Sequence, residues 1–241
     1  MSAAPELLLA LDTSASAGKA GLAIASGDRV AVSVLEGIPA RTEDLAPATS
    51  TLLSSWGKSA ADLTAVAAVV GPGSYTGLRS GLAFLRGLAF VEDLPAVGVG
   101  ALELLAFRGT SPGDSCVASV PGGQGRVVCA RYRRGPEDVE ELDAPVALAL
   151  DELRDWLAVF SSSSLVVTMD TFGDALTGPV RAAGLALHVL ASDSLDTLAG
   201  LAMSRLGRGL AMPVARLLPF YVGASNARPN QNRIAVRVAA E

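Results

Sequence analysis

The sequence has one histidine, His188, and two cysteines, Cys116 and Cys129. A lone histidine excludes every metal motif built on a histidine pair. It lies in the apolar run Leu185–Leu190, so it reads as a packed or edge-strand side chain. A Ser-His-Asp site would have to use it, and no G-x-S-x-G elbow supports one. Two cysteines exclude a disulfide framework, and reduced thiols in a cytoplasmic protein are the expectation. No run approaches the ~20 apolar residues of a membrane helix. Leu7–Leu11 is too short for a signal peptide, has no basic flank and runs into Asp12. No membrane partner is therefore expected. A basic excess is missing too: the net charge is −5, which excludes a strongly basic nucleic-acid footprint while leaving room for a local patch. Disordered and coiled-coil compositions are absent.

What is there is core-forming. Half of the 241 residues are hydrophobic, enough for one large domain or two small lobes. Ala65–Val70 is a continuous apolar run, as for a strand covered on both faces. Gly71-Pro72-Gly73 stops it, and Ser74 or Thr76 can cap a helix from about Thr76 to Val91. Strand, glycine turn and helix N-terminus make an anion site, or simply a close-packed connection. On the helix, Leu78, Leu82, Leu85 and Leu88 or Ala89 share one face, and Ser80, Ala83 and Gly87 a second.

Upstream, Glu6–Asp12, Lys19–Ala25 and Arg29–Leu35 read as hairpin-linked strands, with Thr13–Gly18 as the first loop. Gly37–Arg41 reads as loop. A helix capped by Thr42 or Asp44 follows, with Pro47 best accommodated by a cap at Asp44. Its stripe is Leu45, Thr49, Leu52, Leu53 and Trp56, and Gly57 closes it. Ala96–Val99 is a strand and Ala101–Phe107 a helix, giving β-β-β-α-β-α-β-α. Gly109–Gly113 is a cluster of breakers. Beyond it, Cys116–Val120 and Arg126–Arg133 read as a hairpin centred on Gly122-Gly123, which would set Cys116 opposite Cys129 on one sheet face. The remaining expectations are a helix over Val146–Phe160, a serine loop, a strand Leu165–Thr168, a helix Asp174–Ala183, a strand Leu185–Leu190 and a helix Asp193–Leu206.

Gly71–Leu82, GPGSYTGLRSGL, followed by LRGLA and PAVGVGALELLA, resembles the TsaB (YeaZ) family and its GPGSFTGLR-type signature. The opening LLLALDTSASAGKAGLAIA is similar to the family's first hairpin, and the resemblance covers about residues 6 to 107. It implies an α/β, two-lobed actin/Hsp70/sugar-kinase-like (ASKHA) fold with mixed central sheets. Residues 1–108 would form the first lobe, 109–209 a smaller second one, and a tail from about 210 to 241 would pack back on the first. The implied function is a non-catalytic scaffold for N6-threonylcarbamoyladenosine formation at position 37 of tRNAs that read ANN codons. The implied partners are a TsaD-like transferase, a TsaE-like ATPase, a second copy of the chain and, only within the assembly, tRNA. No cofactor and no metal are implied; the related TsaD proteins hold metal with a pair of histidines on a helix, which this chain lacks. A stand-alone small-molecule kinase or ATPase of the same fold is the alternative.

In ATPases of this superfamily the first hairpin loop wraps phosphate and an acidic residue ending the first strand helps hold Mg²⁺. Asp12, Thr13 and Ser14 stand there, with Gly71, Gly73 and Ser74 at the second phosphate-loop position, where no carboxylate is offered. Thr171–Ala175 resembles the adenosine loop only faintly. The site therefore reads as degenerate, and Asp12 has an alternative role in accepting N–H groups of the following turn. The resemblance also implies pairing through first-lobe helices, with Leu45, Leu52, Trp56, Gly77, Gly81, Leu82 and Leu85 as candidates; otherwise each stripe faces its own sheet. Two departures stand out. Pro121–Arg126 replaces the family's Asp-Ala-Arg-type hairpin, and Glu43-Asp44 stand where a histidine is often found.

Overall fold

The computed structural model describes residues 6–14, 20–35, 42–90, 92–160, 164–191 and 194–222. Most of the first loop (15–18), the loop over 37–41, Ser161–Ser163, Asp193 and the tail beyond Val222 lie outside the described residues.

Two mixed sheets share one plan. In the first, β1 (Leu8–Asp12), β2 (Ala20–Ser26) and β3 (Arg29–Leu35) form an antiparallel meander. β4 (Ala65–Gly71) and β5 (Pro95–Gly100) add in parallel on the other side of β1. In the second, β6 (Ser115–Gly123), β7 (Arg126–Arg134) and β8 (Val139–Ala149) are the meander. β9 (Leu165–Met169) and β10 (Ala186–Leu190) are its parallel additions. The orders β5-β4-β1-β2-β3 and β10-β9-β6-β7-β8 are therefore equivalent, and β11 (Met212–Pro213) extends the first sheet beyond β5. The lobes are alike in topology although no repeat is legible in their residues.

Apolar runs on the central strands follow from burial on both faces. All five residues of β1 and all seven of β4 are buried. Outside the first sheet lie α1 (Thr42–Ser54) and α2 (Tyr75–Ala89); outside the second lie α4 (Leu150–Leu157) and α5 (Asp170–Ala182). Between the sheets lie α3 (Ala101–Gly109) and α6 (Leu195–Gly207). Although α6 follows the second-lobe strands in sequence, it packs across β1 to β5 of the first sheet. Among the described residues no helix is long and apolar enough to cross a membrane.

Several local expectations hold. β3 has the bounds expected, Ser74 is the cap of α2, and Gly57 takes φ +65° where α1 ends. Others are corrected. α1 begins at Thr42, so Pro47 lies in its second turn and not its first. Val146–Ala149 is strand, part of a β8 that the sequence reading missed; its acidic residues disfavour a strand prediction, but they face Arg131 and Arg133 of β7 across an edge that tolerates Pro145. The β6–β7 turn is at Gln124-Gly125, both with positive φ (51° and 72°), with an irregularity between Pro121 and Gly123. Cys116 therefore pairs with Tyr132, and Cys129 with Ser119. The two thiols lie on opposite faces, one in the core between the sheets and the other in the outer core. Burial pushes both up to about 12, with Asp114 contributing at Cys116, so both are thiols and not thiolates at neutral pH.

Candidate functional site

The six phosphate-loop candidates do come together, at the ends of β1 and β4, but they are engaged with one another. Asp12 accepts the Ser14 amide at 2.8 Å and the Ser14 hydroxyl at 2.6 Å, both at Oδ1. This is the turn-stabilising role weighed from sequence. Ser14 O in turn accepts the Ser74 amide at 2.6 Å. Ser74 Oγ accepts the Gly77 amide at 3.2 Å. One first-turn donor of α2 and the amide of its cap, groups that an anion would seek, are thus taken by the protein's own oxygens.

Glycine makes this approach possible. A Cβ on Gly73 would meet Ser14, and a Cβ on Gly77 or Gly81 would overlap Thr13. Gly77 and Gly81, one turn apart on α2, are therefore spent on the loop after β1. Gly71, at φ +118°, would meet the carbonyl of Phe220 if it carried a side chain.

The hydrophobic pairing candidates are corrected by the same geometry. Leu45, Leu52, Leu82 and Leu85 are at most 8% exposed and pack with Leu9, Leu22, Val66 and Val70 of the first sheet. Trp56 is half-buried at the margin of that core, with Arg29 stacked on its ring at 4.4 Å. Each stripe faces its own sheet because the sheet's outer face has no other cover. What α2 turns outward is Tyr75, Thr76, Arg79, Ala83, Gly87 and Phe90.

Sequence reading did not single out Arg79 and Arg86. Arg86 donates to Ala215 O at 2.6 Å. Arg79 donates to Tyr221 Oη at 3.2 Å and stacks on Tyr75 at 3.9 Å. The Phe220 amide donates to Val70 O at 2.7 Å. Residues 214–222 are thereby held across α2 and the signature turn. The spacing of the two arginines on α2 is the signal that was available. Thr171–Ala175 is no loop: it lies in α5, where Gly173 lets the helix approach Val189. His188 is on the outer strand β10, with Nδ1 3.0 Å from Gly109 O, as an edge-strand residue would be.

Between the lobes, where β1, β6 and β9 end, the cavity is only about 20 Å³. Asp12, Leu104, Arg108, Val120, Met169 and Ser194 are among its lining residues. Among the described residues no cluster of three or more His, Cys, Asp or Glu is arranged to hold a metal.

Burial pushes the Asp12 carboxyl above the ordinary aspartate range, and the two Ser14 hydrogen bonds offset this only in part. A raised folded-state value gives stability that is complete below the unfolded pKa, ~3.9, and lost as pH rises through the folded value. Asp12→Asn keeps an oxygen for Ser14 and carries no charge. It is expected to match the parent near pH 3.5 and to exceed it at pH 8 in denaturant titrations. A variant less stable than the parent at pH 8 would contradict this account of Asp12.

The YeaZ structure from Pseudomonas aeruginosa superposes with a TM-score of 0.69, covering 90% of this chain and 100% of that one at 22% identity. At that identity the match shows the fold, the two-lobed actin/Hsp70/sugar-kinase-like one. The model of the family described as TsaD, tRNA N6-adenosine threonylcarbamoyltransferase, matches residues 39–210. The chain belongs to this family. Within it the TsaB (YeaZ) resemblance holds. The TsaB protein of Escherichia coli K12 is 32% identical over 108 residues, 43% of this chain and 47% of that protein. An uncharacterised protein of Mycobacterium tuberculosis H37Rv is 31% identical over 166 residues, 64% of this chain and 75% of that one. The TsaB of Bacillus subtilis is 40% identical over 63 residues, 26% of this chain and 28% of that protein. The chain thus spans about half the length of the E. coli relative it matches.

Proposed function

We propose that the chain serves tRNA threonylcarbamoyladenosine biosynthesis as a non-catalytic subunit that pairs with and supports a TsaD-like transferase. The observation that carries the non-catalytic part is the closed cleft. Nucleotide pockets are typically ~300–1,000 Å³, whereas the cavity that the described residues form at the ends of β1, β6 and β9 is about 20 Å³, near the size of one water. The cap of α2 and the loop after β1 are hydrogen-bonded to each other. The pathway is that of the E. coli and B. subtilis TsaB relatives and of the TsaD family. A stand-alone kinase or ATPase would need a phosphate cradle with metal-holding carboxylates; the described cradle offers Asp12 alone, and burial disfavours its charge. A TsaE-like ATPase and a second copy of the chain complete the proposed assembly, with tRNA engaged only by the whole.

The pairing surface in this reading is the outer face of α2 beside α1, in place of the buried leucines. Ala83 and Gly87 are exposed there, Gly87 with open space above it, and Phe90 is 76% exposed. A double substitution Ala83→Glu with Gly87→Glu would put two unpartnered charges into such an interface. Its melting temperature is expected to stay near the parent's, while affinity for the cognate TsaD-type subunit falls roughly 100-fold and tRNA modification falls with it. Undiminished binding by the folded double variant would sink this surface.

A further inference from the structure

We propose that Tyr75, Arg79 and Tyr221 form a stacking site for single-stranded RNA, through which this chain touches tRNA inside the assembly. The three side chains meet at the N-terminal end of α2. The Tyr75 and Tyr221 rings are 5.3 Å apart between centroids and tilted by 32°. The Arg79 guanidinium lies 3.9 Å from the Tyr75 centroid and donates from Nε to Tyr221 Oη at 3.2 Å. Although both neighbours touch it, Tyr75 is 56% exposed. Unpaired bases stack on surface aromatic rings and guanidinium planes, whatever their sequence, because every base has a π-face. Holding residues 214–222 in place does not need an open ring: Arg86 does so through Ala215 O, and the Phe220 amide through Val70 O.

Charge points to the same ligand. Arg131, Arg133, Arg205 and Arg208 face carboxylates. Among the described residues no carboxylate pairs with Arg79 or Arg86, whose acceptors are Tyr221 and the Ala215 carbonyl. Between Asp62 and Glu92 the charged residues of the sequence are Arg79 and Arg86 alone. Between Asp196 and Glu241 they are Arg205, Arg208, Arg216, Arg228, Arg233 and Arg237, again with no acid. The described parts of these two segments meet along α2, in a chain whose net charge is −5. Glu43 and Asp44 belong to α1, which lies over β2 and β3 on the other flank of α2. An arginine-bearing surface without acids attracts phosphate and repels no part of an RNA backbone. It is the local patch for which the composition left room. An acidic protein would satisfy the arginines and leave the open tyrosine ring without a role. From Tyr75 to Ala83 along α2 is ~12 Å, so the cluster lies at the end of the proposed pairing surface, where its ring stays open in the assembly. The identity of the RNA rests on the proposed function; the stacking chemistry does not.

Fluorescence anisotropy of labelled tRNA, titrated with the complex of the full-length chain and its TsaD-type subunit, tests the site. Tyr75→Ala is expected to weaken tRNA binding at least about tenfold, the loss of one stacked base, while affinity for the subunit stays at the parent's. Tyr75→Phe keeps the ring and should bind tRNA within about twofold of the parent. Arg79→Gln should weaken binding and make the slope of log affinity against log salt shallower by about 0.7, one single-strand phosphate. Equal tRNA affinity of parent and Tyr75→Ala overturns the proposal. So does a parallel loss of subunit affinity, which would make the cluster a protein contact. A parent chain that fails to pair with the subunit overturns the proposed function instead. The site is then decided on the isolated full-length chain, by photo-crosslinking to an RNA oligonucleotide carrying 4-thiouridine. Cross-links at Tyr75 or Tyr221 support it; cross-links only elsewhere, or none, overturn it.

Discussion

Gly77→Ala is expected to destabilise the protein by about 3 kcal/mol, because the added methyl would overlap the Thr13 carbonyl oxygen. That oxygen is backbone, so no side chain can swing away to make room. Relief requires α2 to lift from the loop after β1, which also stretches the Ser74–Ser14 hydrogen bond. Buried Leu78, Leu82 and Leu85 resist that movement. For a chain of this length the melting temperature should fall by roughly 6–12 °C. Gly87→Ala on the same helix is the control. Nothing lies within 4 Å of its added methyl, and alanine's helix propensity should make it neutral or stabilising by up to about 1 kcal/mol. If the two variants melt alike, the close approach of α2 to Thr13 is wrong. Were Gly77 instead a partner contact, Gly77→Ala would leave the isolated protomer intact and weaken the assembly.

Arg205→Leu is the second large effect, with an expected loss of about 3 kcal/mol. Arg205 is the only charged residue of the last two turns of α6, and it is turned inward, its side chain 12% exposed. It donates to both carboxylate oxygens of Asp138, at 3.0 and 2.6 Å, to Glu103 at 3.0 Å and to Gly98 O at 3.1 Å. It thereby ties β5 and α3 to the turn between β7 and β8, one lobe to the other. Leucine would remove the guanidinium from both carboxylates, leaving Asp138 with the Val139 amide and Arg208, and Glu103 with the Gly100 amide, and would take the Arg205 donor from Gly98 O. Burial works to raise the Asp138 carboxyl, but the hydrogen bonds and charge of Arg205, joined by the Val139 amide and the charge of Arg208, outweigh it and hold Asp138 below the ordinary aspartate range. Its stabilising contribution is therefore present above the unfolded pKa of ~3.9 and is lost as pH falls through the folded value. The gap between parent and Arg205→Leu should accordingly be full at pH 7 and shrink below about pH 4 in denaturant titrations. A gap that does not change with pH would mean that the ion pair contributes nothing beyond packing.

The elements legible in the sequence were those fixed by local chemistry. β3 alternates between turn signals, Ser74 follows a glycine turn, and Gly57 supplies the left-handed residue that ends α1. The phosphate-loop candidates were found for the same reason: a short string specifies strand, turn and cap together. What escaped depended on distant partners. β8 is built of residues that disfavour strands until Arg131 and Arg133 lie alongside. The β6–β7 register hung on which of several consecutive glycines made the turn. The stripes of α1 and α2 were visible, but an amphipathic pattern does not say whether its apolar face meets a sheet or a partner. Arg205 looked like any surface arginine because its acceptors come from two distant segments.

In the proposed role the chain supports the transferase while its own phosphate-loop position is filled by its own oxygens. The most direct test is threonylcarbamoyl transfer to tRNA in a reconstituted system, comparing the parent chain with Asp12→Asn at saturating TsaD-type subunit. Asn keeps the Ser14 hydrogen bonds but cannot hold Mg²⁺ as a carboxylate does. The account predicts a modification rate within about twofold of the parent's. A loss on the order of 100-fold, the scale of removing a catalytic electrostatic group, from a folded and TsaD-competent variant would contradict it.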